Sequence, residues 1–363
     1  MLLKLLLVLA GILTSSCLAE ELPPQDISPQ LEVVRAKWKP PACAAAVVKN
    51  GRIIALGATG LRRSDAELRV TIDDVWHLGS CTKSITASVT GALVDAGKLR
   101  WETSIAQVFA GVPSDPAWAR VTVWDLVTQQ SGLGSTPRII WQDGSKPTAQ
   151  TQRASFARIL LSRPPPETMG KFAYSNAGYG LLGAVLERAS GKSYEELVQQ
   201  CVFQPLKLTT AGFGAPATPG KIDQPWGHWR RAERLIPVDP TPENQFPAVL
   251  APAASVHMSL RDFARYATWL SNNEPPLLTP ATFKRLHTPP AGSSYAGGFW
   301  KTEMPGIGGD AMCHYGHLGG LFGAFYVGTD QVCVTVFNQE GSSWEWLGDE
   351  IASAALKAAQ AAP

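Results

Sequence analysis

The sequence predicts an α/β (α+β) fold in which a mainly antiparallel sheet is assembled from both ends of the chain and flanked by helices. Strand-like runs occupy residues 43–58 and 322–339, whereas helix-like spacing of apolar residues dominates the region between them. Two distant sets of strands can bury their apolar faces in one shared sheet, and the segment between them then forms a helical insert. The predicted sheet part covers about 35–105 and 250–363, and the insert covers about 106–249.

The first half of the chain shows one hairpin and two clear helices. Residues 43–58 alternate around a turn at 49–51, which is typical of a β-hairpin. After Gly79, apolar residues recur at helical spacing as far as Gly97. The stretch YGLLGAVLERASG predicts another helix, which Gly191 ends.

The second half begins with loops rich in proline and tryptophan at about 215–250, which we expect to line the substrate pocket. A helix follows with Ser259 as its N-cap. Two strands around residues 328–330 and a closing helix that starts near Trp346 complete the predicted fold.

Composition excludes several classes of function. The chain has 363 residues, is 45% hydrophobic and carries a formal net charge of +2, so it can bury a large core. Lys and Arg are scattered without a basic block, which argues against nucleic-acid binding. The sequence leaves the oligomeric state open.

The N-terminus reads as an export signal. A single Lys precedes a short apolar run, and the run ends in Cys17-Leu18-Ala19, so cleavage after Ala19 is expected. Residues 1–19 are therefore predicted to be a signal peptide, and residues 20–363 the catalytic domain. The apolar run is shorter than the roughly 20 residues of a membrane span. The predicted location is periplasmic or secreted, with a lipoprotein anchored through Cys17 as the alternative.

Five cysteines remain after removal of the signal. An odd count in an exported chain permits at most two disulfides and leaves one thiol unpaired. Cys43, Cys313 and Cys333 lie in strand-like runs, so a disulfide between two of them is plausible, but the sequence does not choose the pair.

Ser80-Cys81-Thr82-Lys83 is the first chemistry-bearing motif. If Ser80 opens a helix, Lys83 lies on the same face three residues later. A lysine whose pKa is lowered by burial can accept the serine proton, and the helix N-terminus offers backbone N–H groups to an oxyanion. The alternative is an ordinary capped helix with a solvated lysine.

Tyr174-Ser175-Asn176 is the second motif and lies on a loop before a helix. A tyrosine oxygen near a lysine can relay a proton to a leaving group, and Asn176 can hydrogen-bond both a substrate amide and Lys83. A half-buried tyrosine followed by a capping asparagine is the structural alternative.

The third motif is His317-Leu318-Gly319-Gly320, at the start of a strand-like run. Its glycines would let a substrate approach the backbone closely. Similar patterns occur at His77 and at His314-Tyr315-Gly316, but only the copy at 317 is followed by a second glycine and a Gly-aromatic strand, which favours it over 314. His77 is interpreted as a packing residue.

The three motifs, in this order, resemble those of the serine β-lactamase and penicillin-binding peptidase superfamily. The Tyr-x-Asn form is similar to the branch that contains class C β-lactamases, D-alanyl-D-alanine carboxypeptidases and family VIII esterases. The segments TVWDLVTQQSGL, KFAYSNAGYGLLGAVLERASG and APAASVHMSLRDFARYATWL extend the likeness over about residues 35–345.

The resemblance implies a role for each matching residue. Ser80 would be the nucleophile, Lys83 its base and Tyr174 the proton relay. Asn176 and His317, together with Gly319 and Gly320, would bind substrate. The backbone N–H groups of Ser80 and Gly320 would form the oxyanion hole. The resemblance also implies a small-molecule or peptidoglycan-like substrate and neither a metal nor an organic cofactor.

Leu318 departs from the family pattern, which usually has Thr or Ser at this position. That hydroxyl helps to bind the carboxylate of a β-lactam or a D-alanine terminus, so leucine favours an ester substrate. The alternatives are a β-lactamase, a D-alanyl-D-alanine carboxypeptidase, and a penicillin-binding or cell-wall-ligand sensor without turnover. A metal site involving Cys313, His314 and His317 is disfavoured, because His314 and His317 would face opposite sides of a strand.

Overall fold

The computed structural model describes residues 23–134, 148–166, 169–232, 234–304, 306–308, 310–341 and 344–361. The predicted signal peptide lies outside these residues. Within them, no helix is long and apolar enough to cross a membrane.

The strands, in chain order, are β1 (Gln25–Asp26), β2 (Ala42–Lys49), β3 (Arg52–Gly60), β4 (Val75–His77), β5 (Gly212–Phe213), β6 (Gly227–Arg231), β7 (Arg234–Val238), β8 (Val256–Ser259), β9 (Trp300–Thr302), β10 (Ala311–Leu318), β11 (Leu321–Val327) and β12 (Gln331–Phe337). The helices are α1 (Ser28–Trp38), α2 (Thr82–Asp95), α3 (Ile105–Val108), α4 (Val123–Val127), α5 (Ala149–Leu161), α6 (Asn176–Ser190), α7 (Tyr194–Val198), α8 (Ala251–Ala254), α9 (Leu260–Asn272), α10 (Pro280–Leu286) and α11 (Trp344–Gln360).

The main sheet has seven strands in the order β1-β3-β2-β12-β11-β10-β9. Only the short β1–β3 pair is parallel. Strand β2, from the N-terminal part, pairs directly with β12, from the C-terminal part, so both ends of the chain form one sheet as predicted. The β2–β3 and β11–β12 hairpins lie where the sequence places them.

Apolar side chains cover both faces of this sheet. One face packs against α1 and α11 and forms a cluster with Leu31, Val47 and Ile351 in its centre. The other face packs against α2, α9 and the helical insert, and its cluster includes Ile85 and Phe325. Burial on both sides explains why β2 reads ACAAAVVK, with apolar residues at successive positions instead of alternating ones.

The helix ends follow the local signals of the sequence. Ser259 caps α9 by accepting a hydrogen bond from the Asp262 N–H, and Gly191 ends α6 at a φ of 75°. The helix predicted to begin at Ser80 begins two residues later, because a short 3₁₀ turn at Gly79–Cys81 precedes α2.

Two expectations about the periphery were wrong. Residues 215–250 are not only loops, because β6 and β7 pair as an antiparallel ribbon within them. The cysteines Cys43, Cys81, Cys201, Cys313 and Cys333 are all free thiols, so the plausible disulfide among the strand cysteines does not form.

Candidate active site

Ser80 lies where β4 turns into α2. The turn needs glycine at position 79, which has a φ of 51° and whose added Cβ would lie only 2.5 Å from the His317 backbone nitrogen. His77 fixes the same turn, since its Nδ1 accepts a hydrogen bond of 3.0 Å from the Gly79 N–H. His77 is 3% exposed, which agrees with its predicted packing role.

Lys83 reaches back along the helix to Ser80. Its Nζ lies 3.0 Å from the Ser80 Oγ, 2.8 Å from the Asn176 Oδ1 and 3.0 Å from the Ala253 carbonyl oxygen. The amine also lies 4.6 Å from the centre of the Tyr174 ring. The structure therefore brings together Ser80, Lys83, Tyr174 and Asn176, as the sequence predicts.

The Lys83 side chain is fully buried, and its three hydrogen-bond acceptors are all uncharged. Burial lowers the pKa of Lys83 well below its ordinary value of 10.5. A neutral amine 3.0 Å from a serine hydroxyl is positioned to accept its proton. The solvated lysine of the alternative reading is therefore absent.

The loop that carries Tyr174 is held on both sides. Ser175 caps α6 by accepting a hydrogen bond from the Gly178 N–H, and its own N–H donates to the Gln129 Oε1 at 2.9 Å. Burial raises the pKa of Tyr174, and a hydrogen bond with the Ser80 side chain offsets part of that rise. The Tyr174 ring stacks on Trp300 with ring centres 5.8 Å apart.

The histidine that faces Lys83 is His314, whereas the sequence analysis favoured His317. Side chains alternate along β10, so His314 and Gly316 point toward α2, and Tyr315 and His317 point the other way. The His314 ring is fully buried, 4.6 Å from the Trp300 ring and 6.3 Å from the Tyr174 ring. Burial and the nearby Lys83 lower the pKa of His314 to about 3, so the ring is neutral.

The β10 backbone borders the nucleophile at Gly316. A Cβ added there would lie 1.8 Å from the Leu78 carbonyl oxygen and 2.6 Å from the Ser80 nitrogen, so the strand could not approach with any larger residue. His317 is the next residue. Leu318 and Leu321, next to the two-residue turn, form a hydrogen-bonded pair, so the preceding pair, His317 and Phe322, is not hydrogen-bonded. The His317 N–H therefore points away from β11.

The backbone N–H groups beside Ser80 therefore differ from the pair that the sequence analysis expected. The N–H of His317, beside that of Ser80, takes the position expected for Gly320. Gly319 and Gly320 have φ values of 58° and 77° and form the two-residue turn of the β10–β11 hairpin. An added Cβ on Gly320 would lie 2.4 Å from the His228 nitrogen, so this turn packs against β6.

A cavity of about 360 Å³ opens beside the nucleophile. Its walls are mostly aromatic, and they come from the loop before α6, from β9, from β10 and from the first turn of α11: Ser80, Tyr174, Trp300, Tyr315, His317, Trp344 and Glu345. Leu318 and Gly319 line a second cavity instead, together with Trp226. The tryptophans of 215–250 do not belong to the described wall of the Ser80 cavity.

Sequence reasoning missed Trp300, Trp344 and Tyr315 as site residues. Trp344 stacks on His317 with ring centres 5.9 Å apart, and the Tyr315 hydroxyl donates to the Asp349 Oδ1 at 2.9 Å. None of the three lies in a motif that names a chemistry. A useful signal was the strand alternation of HYGHL, which places residues 315 and 317 on one face.

The comparisons with known proteins identify the family and the fold. The sequence matches the family described as Beta-lactamase over residues 32–356. It is 30% identical over 181 residues to Penicillin-binding protein 4 of Amycolatopsis lactamdurans, and the aligned region covers 49% of this chain and 46% of that protein. It is 26% identical over 278 residues to the Beta-lactamase of Escherichia coli strain K12, which covers 74% of this chain and 66% of that protein. The chain thus spans about half to two thirds of these relatives.

Solved structures share the fold. The D-amino acid amidase of Ochrobactrum anthropi SV3 superimposes with a TM-score of 0.73 at 20% identity, covering 92% of this chain and 98% of that one. The octameric penicillin-binding protein homologue of Pyrococcus abyssi gives a TM-score of 0.71 at 23% identity, covering 88% of this chain and 75% of that one. From the family match over residues 32–356, this chain belongs to the beta-lactamase family.

Proposed function

We propose that this protein hydrolyses an ester, or a peptide-like amide, through an acyl-enzyme on Ser80, and that esters are its preferred substrates. The observation that carries the proposal is the fully buried Lys83 amine, 3.0 Å from the Ser80 hydroxyl and surrounded by neutral acceptors. A lysine in these surroundings loses its proton readily and acts as a base.

Acylation then proceeds as follows. Lys83 takes the Ser80 proton while the Ser80 Oγ attacks the substrate carbonyl carbon. The carbonyl oxygen becomes an oxyanion that accepts hydrogen bonds from the Ser80 and His317 N–H groups. The bond to the leaving group breaks as Tyr174 passes it a proton, and Lys83 returns a proton to Tyr174.

Deacylation reverses these roles with water. A water molecule enters the cavity, gives a proton to the Tyr174–Lys83 pair and attacks the acyl carbon. The second oxyanion uses the same two N–H groups. Collapse of this intermediate releases the acid and returns the proton to the Ser80 Oγ, so the enzyme is restored without a cofactor.

Tyr315, and not Leu318, supports the preference for esters. Leu318 lies in the neighbouring cavity, and Tyr315 is the residue that follows the site histidine on β10. The Tyr315 hydroxyl already donates to the Asp349 Oδ1, so it is engaged by a carboxylate of the protein. A substrate carboxylate finds no free hydroxyl at this position, which disfavours β-lactams and D-alanine termini.

The first test is steady-state hydrolysis of a short p-nitrophenyl ester and a chromogenic cephalosporin. Ester turnover that falls about 10⁴-fold or more in Ser80→Ala supports the nucleophile. Ser162→Ala, at the exposed end of α5, is the matched control and should retain full activity. Rapid cephalosporin turnover would favour a β-lactamase, and a single stoichiometric burst would favour a ligand sensor. Equal activity of Ser80→Ala and wild type would overturn the mechanism.

We also propose that the protein acts in the periplasm or outside the cell. The support is the apolar run ending at Ala19. N-terminal sequencing of the protein recovered from its native host tests this point. A mature chain starting at Glu20 would support export, whereas a lipid-modified Cys17 would indicate the anchored alternative.

A further inference from the structure

The walls of the Ser80 cavity present aromatic faces on several sides. Tyr174 and Trp300 are stacked with an interplanar angle of 13°, and Trp344 stacks on His317 at 23° on the wall formed by β10 and α11. Tyr315 meets Trp344 edge to face, with ring centres 6.2 Å apart. Aromatic faces carry negative electrostatic potential and attract cations.

The charged side chain on the described wall of the cavity is negative. Glu345, in the first turn of α11, is exposed and lines the cavity, and it has no ion-pair partner among residues 23–134 and the other described ranges. Burial lowers the pKa of His317, the histidine of the described wall, so its ring is neutral near neutral pH. Lys83 lies behind Ser80, fully buried and hydrogen-bonded to three acceptors.

Among the residues that the structure describes, the cavity wall therefore offers a substrate carboxylate one carboxylate and no cation. Asp349 adds to the negative side, because it accepts the hydroxyls of both Tyr315 and Tyr326 at 2.9 and 2.7 Å. A positively charged group would meet aromatic faces and the free Glu345 carboxylate, the two kinds of partner that bind an alkylammonium.

We propose that this cavity selects substrates whose acyl group carries an ammonium charge, with Glu345 and the aromatic walls as the specificity determinants. This inference rests on the proposed function, because it assigns the substrate class of the same Ser80 site. The chemistry of the step is unchanged: the ester bond breaks at Ser80, and the ammonium group takes part only in binding.

An isosteric pair of esters tests the inference. The p-nitrophenyl ester of 4-(trimethylammonio)butyrate has a permanent positive charge, and the ester of 5,5-dimethylhexanoate replaces the nitrogen by carbon with the same shape. The mono-p-nitrophenyl ester of glutarate supplies a negative charge. We expect kcat/KM to favour the cationic ester over its neutral isostere by about 3- to 30-fold, and the anionic ester to be the poorest.

Substitutions assign the effect to a residue. In Glu345→Gln, the ratio of kcat/KM for the cationic ester to kcat/KM for the neutral ester should fall close to the ratio of the two esters' rates of uncatalysed hydrolysis. In Glu345→Lys, the neutral ester should become the better substrate. Glu350→Gln is the matched control, since Glu350 lies on the same helix but binds Lys37 and Trp38. The ratio should be unchanged in that variant.

The outcomes separate this inference from the proposed function. Turnover of the neutral ester that depends on Ser80, with no preference for the cationic ester or a preference that survives Glu345→Gln, would overturn only the inference. Calorimetric titration of Ser80→Ala with the same two esters measures binding without turnover. Tighter binding of the cationic ester, lost on adding Glu345→Gln, would support the inference even if the acyl-enzyme mechanism failed, and equal binding would refute it.

Discussion

Lys83 and Arg153 are both cationic residue types with side chains that are completely buried, yet the groups around them are opposite in kind. Lys83 contacts a hydroxyl, an amide oxygen and a backbone carbonyl. Arg153, on α5, donates to Glu187 and Glu195, with its Nη2 2.7 Å from one oxygen of each carboxylate. Burial lowers the pKa of Lys83, whereas at Arg153 the hydrogen bonds to the two carboxylates outweigh burial and raise the pKa.

The presence or absence of carboxylate partners distinguishes a buried cation that stabilises the fold, Arg153, from a buried amine that can act as a base, Lys83. A buried cation with carboxylate partners keeps its charge and ties together the elements that carry those partners, here α5, α6 and α7. A buried lysine without a carboxylate tends to lose its proton and becomes a base. The kind of neighbour, and not the depth of burial, therefore determines which of the two residues can take part in catalysis.

The largest expected effect is on catalysis at Lys83. Lys83→Met should lower kcat/KM for a p-nitrophenyl ester by about 10²- to 10⁴-fold, because the general base is lost. Its free energy of unfolding should fall by less than about 2 kcal/mol, since removing a buried amine offsets part of the loss of its hydrogen bonds. Ester kinetics and chemical denaturation measure the two quantities, with the exposed Lys98→Met as control. Full activity in Lys83→Met would mean that Lys83 is not the base and that it does not differ from Arg153 in this respect.

Arg153 should show the reverse pattern. Arg153→Met leaves the buried Glu187 without its ion-pair partner and should lower the free energy of unfolding by about 3–5 kcal/mol. Activity per folded molecule should stay near wild type, because Arg153 does not line the Ser80 cavity. Arg158→Met, more exposed on the same helix, is the control for denaturation. If Arg153→Met kept wild-type stability, the scaffold role would be wrong.

The sheet and the positions of the first two motifs could be predicted from the sequence, because the signals for them are local. The spacing of Ser80 and Lys83 needs only the start of a helix, and Tyr174 and Asn176 are adjacent to a helix cap. The hairpins predicted at 43–58 and 322–339 follow from alternation and turn residues.

The rest of the site depends on register, which one sequence does not determine. Choosing between His314 and His317 requires knowing which β10 residue touches Gly79, and that is set by packing between distant segments. The same holds for Trp300 and Trp344, which enter the cavity from separate elements. The carboxylate partners of Arg153 come from α6 and α7, and the sequence analysis gave no signal for them.

Asn176→Asp converts the surroundings of Lys83 toward those of Arg153. The Asn176 Oδ1 already lies 2.8 Å from the Lys83 Nζ, so an isosteric carboxylate would stabilise the ammonium form and raise the pKa of Lys83. In the wild type, kcat/KM should rise with pH through the lowered pKa of Lys83, because the neutral amine is the base. In Asn176→Asp this rising limb should move to higher pH, and activity at neutral pH should fall by about tenfold or more.

Stability should respond in a linked way. In the wild type the Lys83 pKa is lower in the folded than in the unfolded state, so unfolding takes up a proton and stability rises with pH between the two values. Asn176→Asp should flatten this rise. An unshifted rate profile in Asn176→Asp would mean that Lys83 is not the titrating base, and Asn176→Ala controls for the loss of the amide itself.

The smallest expected effect is at His317, whose ring borders the cavity while its backbone N–H is the proposed oxyanion donor. His317→Asn keeps that N–H and removes only the ring stacked on Trp344, so kcat/KM for a neutral ester should change by less than about threefold, within the range of one weak ring contact. His314→Asn, by contrast, removes a ring packed between Trp300 and Tyr295 beside Lys83 and should reduce activity more strongly. Parallel kinetics of the two variants decide which histidine belongs to the Lys83 region. If His317→Asn were the more damaging, the choice made from the sequence would be right, and the β10 register that places His314 beside Lys83 would not describe the working enzyme.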